Sequence, residues 1–416
     1  MFLYIVESGL RHGDTGFATG SFVFLQVCRR WNEVAISFPQ LWSWWVAGAV
    51  KAWPLFHSRS KDTPLSLIWR SRLSVSARDI LIDPAIPRRV RRLGFNGTGE
   101  HLIQFLGAFE SSLSNVSSVR LNVFPYGDRE PQEHIARFLS SPFPKLSHLD
   151  LENFLPTPSS PIFTTSCLTS LKLSLPSSNE DPITLSQLSQ ILQQHQNLRE
   201  LDLNGGAIPP PGSQKTTSVP FTLPRLVNLR LDGQEAAVLG FIDLIDMSSP
   251  LHDVVIRFGR THATSVPVFA NTMKKVLVAY YKCERLNHPR KVNHLTISHN
   301  SEKNCLVFHS RSHPTPTSNL KSNLEFQLNG IGQSTRDEMA MEMFLLFPLD
   351  DVLEFAIEGL FLNVGRCHSM IQKMKDLSHL RLHKLYIWPV LSALSPGNHG
   401  MFKMVTKTTL HSPLHA

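Results

Sequence analysis

Apolar residues recur along this chain at the first, fourth and sixth positions of a short run, most clearly in Leu198-Arg199-Glu200-Leu201-Asp202-Leu203. Successive side chains of a strand point to opposite faces, so Leu201 and Leu203 share one face while Glu200 and Asp202 share the other. The same spacing returns at Val90, Leu93, Phe95; at Val116, Val119, Leu121; at Leu146, Leu149, Leu151; at Leu168, Leu171, Leu173; at Leu226, Leu229, Leu231; and at Leu251, Val254, Ile256. Weaker copies follow at Val292, Leu295, Ile297, at Val352, Phe355, Ile357 and at Leu377, Leu380, Leu382. The pattern predicts one short strand per copy.

From Leu93 to Val254 the central apolar residues follow one another at intervals of 22 to 30 residues. Leucine-rich repeats have a period of roughly 20 to 29 residues, each with one strand and a helical or irregular return. The expected fold class is therefore α/β, with an irregular leucine-rich-repeat solenoid over residues 87–390. A chain of 416 residues exceeds the size at which one compact core stops growing, and an elongated array resolves that problem. The asparagine or cysteine expected three positions after the sixth-position residue is mostly missing, Asn300 after Ile297 being the clearest match, so the expected curvature is uneven.

Residues alternating with the inward leucines are expected to line the concave strand face. They form the outward pairs His148 and Asp150, Ser170 and Lys172, Glu200 and Asp202, and Asn228 and Arg230. Among them His148, Asp150, Lys172, Glu200, Asp202, Asn228 and Arg230 are the candidate target-binding residues. Their mixed charge suits a protein surface better than a nucleic-acid backbone, and most such residues serve solubility.

Ahead of the array the period changes. Between Phe22 and Phe38 the apolar residues Phe24, Val27, Cys28, Trp31, Val34 and Ala35 follow helical spacing, with Arg29, Arg30, Asn32 and Glu33 largely opposite. Pro39 stops this amphipathic helix, and Leu41, Trp42, Trp44 and Trp45 follow. These tryptophans are expected to seal the helix against what comes next. Residues 1–45 thus read as a small helical unit, 46–86 as a linking layer with a first strand at Pro64 to Trp69, and 391–416 as a flexible tail.

Leu25-Gln26-Val27-Cys28-Arg29-Arg30-Trp31-Asn32-Glu33-Val34-Ala35, with Phe38-Pro39-Gln40-Leu41-Trp42 behind it, resembles the second half of the F-box in fungal F-box proteins. The likeness covers about a tenth of the chain, and that family often continues into irregular leucine-rich repeats. It implies a non-catalytic substrate receptor that docks on the Skp1-like adaptor of a cullin-RING ubiquitin ligase and holds a target protein on its repeats. Leu25, Val27, Cys28 and Trp31 would then form the adaptor-binding or adjoining surface. The family's first helix usually opens with Leu-Pro and an acidic continuation, whereas this chain opens at Met1-Phe2-Leu3-Tyr4-Ile5-Val6, partway through that helix. An adaptor-independent repeat scaffold or a truncated F-box product stays open as the alternative.

Composition narrows the remaining classes. Charged residues at 18% and apolar residues at 42% fit a folded chain, and 28 prolines imply many irregular connections. The formal net charge of +8 is diluted over the length and does not establish nucleic-acid binding. Five scattered cysteines, Cys28, Cys167, Cys283, Cys305 and Cys367, suggest a reducing compartment, and no run is long enough to span a membrane. An intracellular protein, cytoplasmic or nuclear, is expected, with Asn96-Gly97-Thr98 and Asn115-Val116-Ser117 left unglycosylated.

Other motifs have plainer readings. Arg88-Arg89-Val90-Arg91-Arg92 could import the chain into a nucleus or bind phosphate, but it reads better as arginines flanking a repeat strand. Cys283, His288, His294, His299, Cys305, His309 and His313 accumulate where the repeat pattern weakens, without the spacing of a zinc site, so no metal or other cofactor is expected. Pro209 to Lys215 reads as an inserted loop, and Asp337 to Phe347 as a return helix with Met339 and Met343 in the core. No phosphate-binding loop, Gly-x-Ser-x-Gly elbow or His-Glu-x-x-His is present, so an enzyme is not expected.

Overall fold

The computed structural model describes residues 28–46, 52–70, 85–107, 114–124, 138–140, 143–154, 159–164, 167–176, 183–209, 220–247, 250–260, 266–281, 294–300, 305–312, 322–329, 333–347, 349–350, 352–358, 369–383 and 403–404. It is a mixed α/β protein with two compact units, Met1–Leu175 and Pro176–Ala416, and in both the strands form an open, mostly parallel sheet.

Unit 1 begins, among the described residues, with helix α1, Arg29–Ser37, which ends where Phe38 turns extended and Pro39 starts a single 3-10 turn. Strand β1 (Trp44–Val46), helix α2 (Trp53–Ser60), strand β2 (Leu65–Arg70), helix α3 (Ala85–Arg89), strand β3 (Val90–Thr98) and helix α4 (Gly99–Gly107) follow. Strands β4 (Ser118–Phe124), β5 (His148–Glu152) and β6 (Ser170–Leu175) complete a six-stranded parallel sheet in chain order. The predicted strand at Pro64 to Trp69 is β2.

The leucine pattern sets the register of these strands. Leu93 pairs with Val119, Val119 with Leu149, and Leu149 with Leu171; one row on, Phe95, Leu121, Leu151 and Leu173 align in the same way. All eight side chains are buried. A slip by one residue would turn every one of them outward, so burial fixes the register. Each full burial is worth roughly 1.5 to 3 kcal/mol.

Trp44 and Trp45 sit on β1, with alternating fates. Trp45 is buried against Trp53 at 4.7 Å and Trp69 at 6.1 Å between ring centroids, while Trp44 stays half-exposed. Trp42 is buried too, its Nε1 donating to the Ala35 carbonyl oxygen at 2.8 Å. Two of the three tryptophans therefore tie α1 and α2 to the end of the sheet.

Unit 2 contains helix α5 (Leu185–Gln193), strands β7 (Glu200–Gly205), β8 (Phe221–Thr222) and β9 (Asn228–Gly233), helix α6 (Glu235–Leu244), strands β10 (Ile245–Asp246) and β11 (Asp253–Arg260), and helix α7 (Val266–Tyr281). Strands β12 (His294–Asn300), β13 (Cys305–Ser312) and β14 (Ser322–Asn329), helix α8 (Gln333–Leu346), and strands β15 (Glu354–Glu358), β16 (His379–His383) and β17 (Lys403–Met404) follow. Thr184 and Gln187 cap α5 reciprocally. Phe269 of α7 meets Phe258 of β11 at 5.3 Å, and Phe344 of α8 meets Phe355 of β15 at 5.6 Å. Met339 and Met343 are buried as expected.

The order of strands in unit 2 corrects the simple array. Its main sheet runs β7-β9-β11-β14-β13-β12-β15-β16-β17, so β14, not β12, lies beside β11. Strands β12 to β14 form an antiparallel meander, which leaves β13 as the one reversed strand of that order. Leu324, Phe326 and Leu328 of β14 pair with Val254, Ile256 and Phe258 and are buried with them. Two reversals leave β12 parallel to β14, so β12 also runs parallel to β15, where Leu295 pairs with Phe355.

Candidate functional site

The helical candidate surface is built on α1. Leu25 and Val27 lie outside the described residues. Cys28 is the exposed N-cap, and Trp31 is half-buried. Ala35 is fully buried beneath Trp42, but Val34 is 47% exposed and Phe38, just past the helix end, 38% exposed. Residues three or four apart on a helix are neighbours, so Trp31, Val34 and Phe38 lie along one side. The predicted apolar face is thus divided: Ala35 packs inward, and the stripe through Val34 points to solvent. Arg29 and Glu33 form an exposed pair one turn apart, Nε to Oε1 2.9 Å, of little energetic weight.

The strand-face candidates fall into two groups, one in each unit. In unit 1, His148, Asp150 and Lys172 occupy outward positions of β5 and β6. His148 is exposed, and its Nδ1 is 2.8 Å from the Ser147 hydroxyl. Asp150 lies between Arg120 and Lys172 in the register, with Arg120 Nε 3.1 Å from its Oδ2. Burial pushes the Asp150 carboxyl above its ordinary pKa, and Lys172 and Arg120 only partly offset that.

In unit 2, Glu200 accepts a 3.3 Å hydrogen bond from Asn228 Nδ2 across β7 and β9. Asp202 stands opposite Arg230 in the register, and the Arg230 guanidinium donates to Asp253 Oδ2 of β11 at 2.8 Å. That bond raises the Arg230 pKa, against the opposing effect of burial. A further rung joins Arg257 to Glu325 of β14 at 3.1 Å, and Asp232, whose pKa burial raises, stands beside Arg257.

The sequence reading named neither Arg120 nor Asp253 as a site residue, and it missed the Arg257–Glu325 rung. Outward position was visible in the spacing; the partner across the ladder depends on strand order, which was not. Arg88, Arg91 and Arg92 are exposed, whereas Arg89 is half-buried and donates to the Ser60 hydroxyl at 2.8 Å and the Thr63 carbonyl at 3.0 Å. One member of the basic run is therefore a structural tie.

Among the described residues no group of three or more His, Cys, Asp or Glu could hold a metal ion, and no helix is long and apolar enough to cross a membrane. The chain matches no model of a known protein family and no curated protein.

Proposed function

We propose that this chain is a substrate-recognition subunit of an SCF-type ubiquitin ligase, non-catalytic and intracellular, with α1 docking on a Skp1-like adaptor and the strand stack holding a target protein. The fungal F-box resemblance of Leu25 to Ala35 and Phe38 to Trp42 supplies the idea. The observation that carries it is the solvent-facing stripe of Val34 and Phe38 on a helix anchored by Trp42 directly ahead of the sheet. An apolar helical stripe of this kind gains by laying itself in a partner's groove.

In this reading the register-matched parallel strands are the irregular leucine-rich-repeat solenoid, and their outward rows form the target surface. The protein would act by tethering: holding target and ubiquitin-loaded enzyme on one scaffold raises the effective concentration of target lysines. Its charges favour a protein partner, because Arg120, Arg230 and Arg257 each already face an acidic side chain. An adaptor-independent scaffold would use the same strand face and differ only at α1.

Reconstitution with purified adaptor, cullin, RING subunit and ubiquitin tests the proposal. Co-elution of the chain with the assembled ligase supports it; a folded chain that elutes alone contradicts it.

A further inference from the structure

The chain entering β3, β4 and β5 lines one edge of the sheet in unit 1, and its charge is all of one sign. Residues 85–93, 114–117 and 143–147 contain Arg88, Arg89, Arg91, Arg92 and Lys145 and no aspartate or glutamate. Arg89 is the structural member, tied to Ser60 and Thr63, and Asp62, in the turn ahead of β2, bounds the basic edge on that side. Arg88, Arg91 and Lys145 are exposed, and among the described residues none of the three has an acidic partner. A side-chain relay draws them together. Lys145 Nζ donates to Asn115 Oδ1 at 2.8 Å, and Asn115 Nδ2 donates to the Arg88 carbonyl oxygen at 2.9 Å. The ammonium thus leans back past the turn of β4 towards Arg88, with two of its three hydrogens left for another acceptor.

We infer that this edge of unit 1 binds the sugar-phosphate backbone of a nucleic acid, without selecting bases, through Arg88, Arg91 and Lys145. Neighbouring strands lie about 4.8 Å apart, so the entries to three of them span roughly 10 Å. Like charges gathered over that distance without a counter-charge repel one another, and a polyanion laid along the edge relieves the repulsion. Guanidinium forks and an ammonium are the groups that fix a phosphate backbone.

The same segments disfavour a protein partner. Ile86, Val90, Val116, Phe143 and Leu146 are all buried, so no large apolar side chain stays outside to form the dry centre of a protein interface. Phe143 is the one aromatic residue of the three segments, and its burial leaves no ring for a base to stack on. Binding should therefore be blind to sequence. The outward strand face, with its paired charges, is a different surface. The inference goes beyond the receptor reading and needs neither an adaptor nor a target protein.

The test is fluorescence anisotropy at low salt with the full chain and a labelled mixed-sequence oligonucleotide, single-stranded and as a duplex, beside a labelled polyglutamate peptide. The expected result is saturable binding of nucleic acid, equal for a second unrelated sequence and tighter than that of polyglutamate. With about three phosphate contacts, log K should fall against log salt with a slope of about −2 for the single strand and about −3 for the duplex. Arg91→Glu and Lys145→Glu change exposed side chains and should each weaken binding by about tenfold, with unchanged circular dichroism. Arg30→Glu makes the same change of charge at an exposed position of α1 and should leave binding nearly intact. No binding of either nucleic acid, equal or tighter binding of polyglutamate, or losses in Arg91→Glu and Lys145→Glu no larger than in Arg30→Glu would each overturn the inference.

Discussion

The Ser147 hydroxyl donates to the carbonyl oxygen of Ser117 at 3.0 Å, the same oxygen that accepts the Ser147 backbone N–H at 2.8 Å. Both residues hold the second position of the repeated pattern, just before their strands. Ser117 makes the same double contact to the Arg91 carbonyl, at 3.3 and 2.8 Å, and Thr169 makes it to Ser147, at 3.0 and 2.8 Å. Ser378 repeats it on the Leu353 carbonyl in unit 2. A hydroxyl ladder therefore ties successive strands just ahead of their first residues.

Replacing Ser147 with alanine removes one rung and leaves the backbone bond in place. The expected loss is about 1 kcal/mol, the net worth of a typical intramolecular hydrogen bond. Urea titration measures it. A loss no larger than that of Ser58→Ala, on the exposed side of α2, would show that the ladder is incidental.

Leu149 sits between Val119 and Leu171 in the register and is buried. Leu149→Ala should cost about 2 to 5 kcal/mol by leaving a cavity beneath the sheet. A thermal melt checks this, with Val34→Ser as the contrast: an exposed helical valine should change stability by only about 0.5 kcal/mol.

Asp150 makes a pH prediction whose direction differs from that of an ordinary ion pair. Its folded-state pKa is raised, by burial above all, so between the unfolded and folded values the folded chain binds more protons. The wild type should therefore gain stability from this group as the pH falls through that raised value, and lose it as the pH rises. Asp150→Asn should lack this component. Denaturation of both proteins across the acid range reads it directly; parallel curves would contradict the assignment.

Arg89 spans from α3 to the end of α2 through Ser60 and Thr63. Arg89→Leu should destabilise unit 1 by about 1.5 to 3 kcal/mol, because the hydrogen bonds are charge-assisted and the site is half-buried. Arg88→Leu, at an exposed neighbour, should be near neutral. Chemical denaturation of the two variants separates the structural arginine from the surface one.

The spacing of Leu93, Val119, Leu149 and Leu171 was enough to give strands, faces and register, since burial of one face admits only one alignment. It failed at β14. Leu324, Phe326 and Leu328 alternate cleanly, but Lys321 stands where the repeat would place its first apolar residue, so only a period of two remained. Pairing of β14 with β11 is a long-range choice that no local spacing records. The ladder hydroxyls escaped for a related reason: Ser117, Ser147 and Thr169 share their position with Arg199, Val227 and His252, so residue type alone did not mark it. On α1 the helical period was legible, but which part of its apolar face packs inward depended on Trp42 reaching Ala35.

The most direct test of the receptor proposal is isothermal calorimetry of the full chain against the Skp1 adaptor, with Val34→Asp/Phe38→Ser as the paired variant. Neither change touches a buried side chain, so the variant should stay folded, as circular dichroism can verify. The account predicts micromolar or tighter binding by the wild type, about −8 kcal/mol or better, and loss of that heat in the variant. A folded wild-type chain that gives no heat, or a variant that binds as well as the wild type, would contradict it.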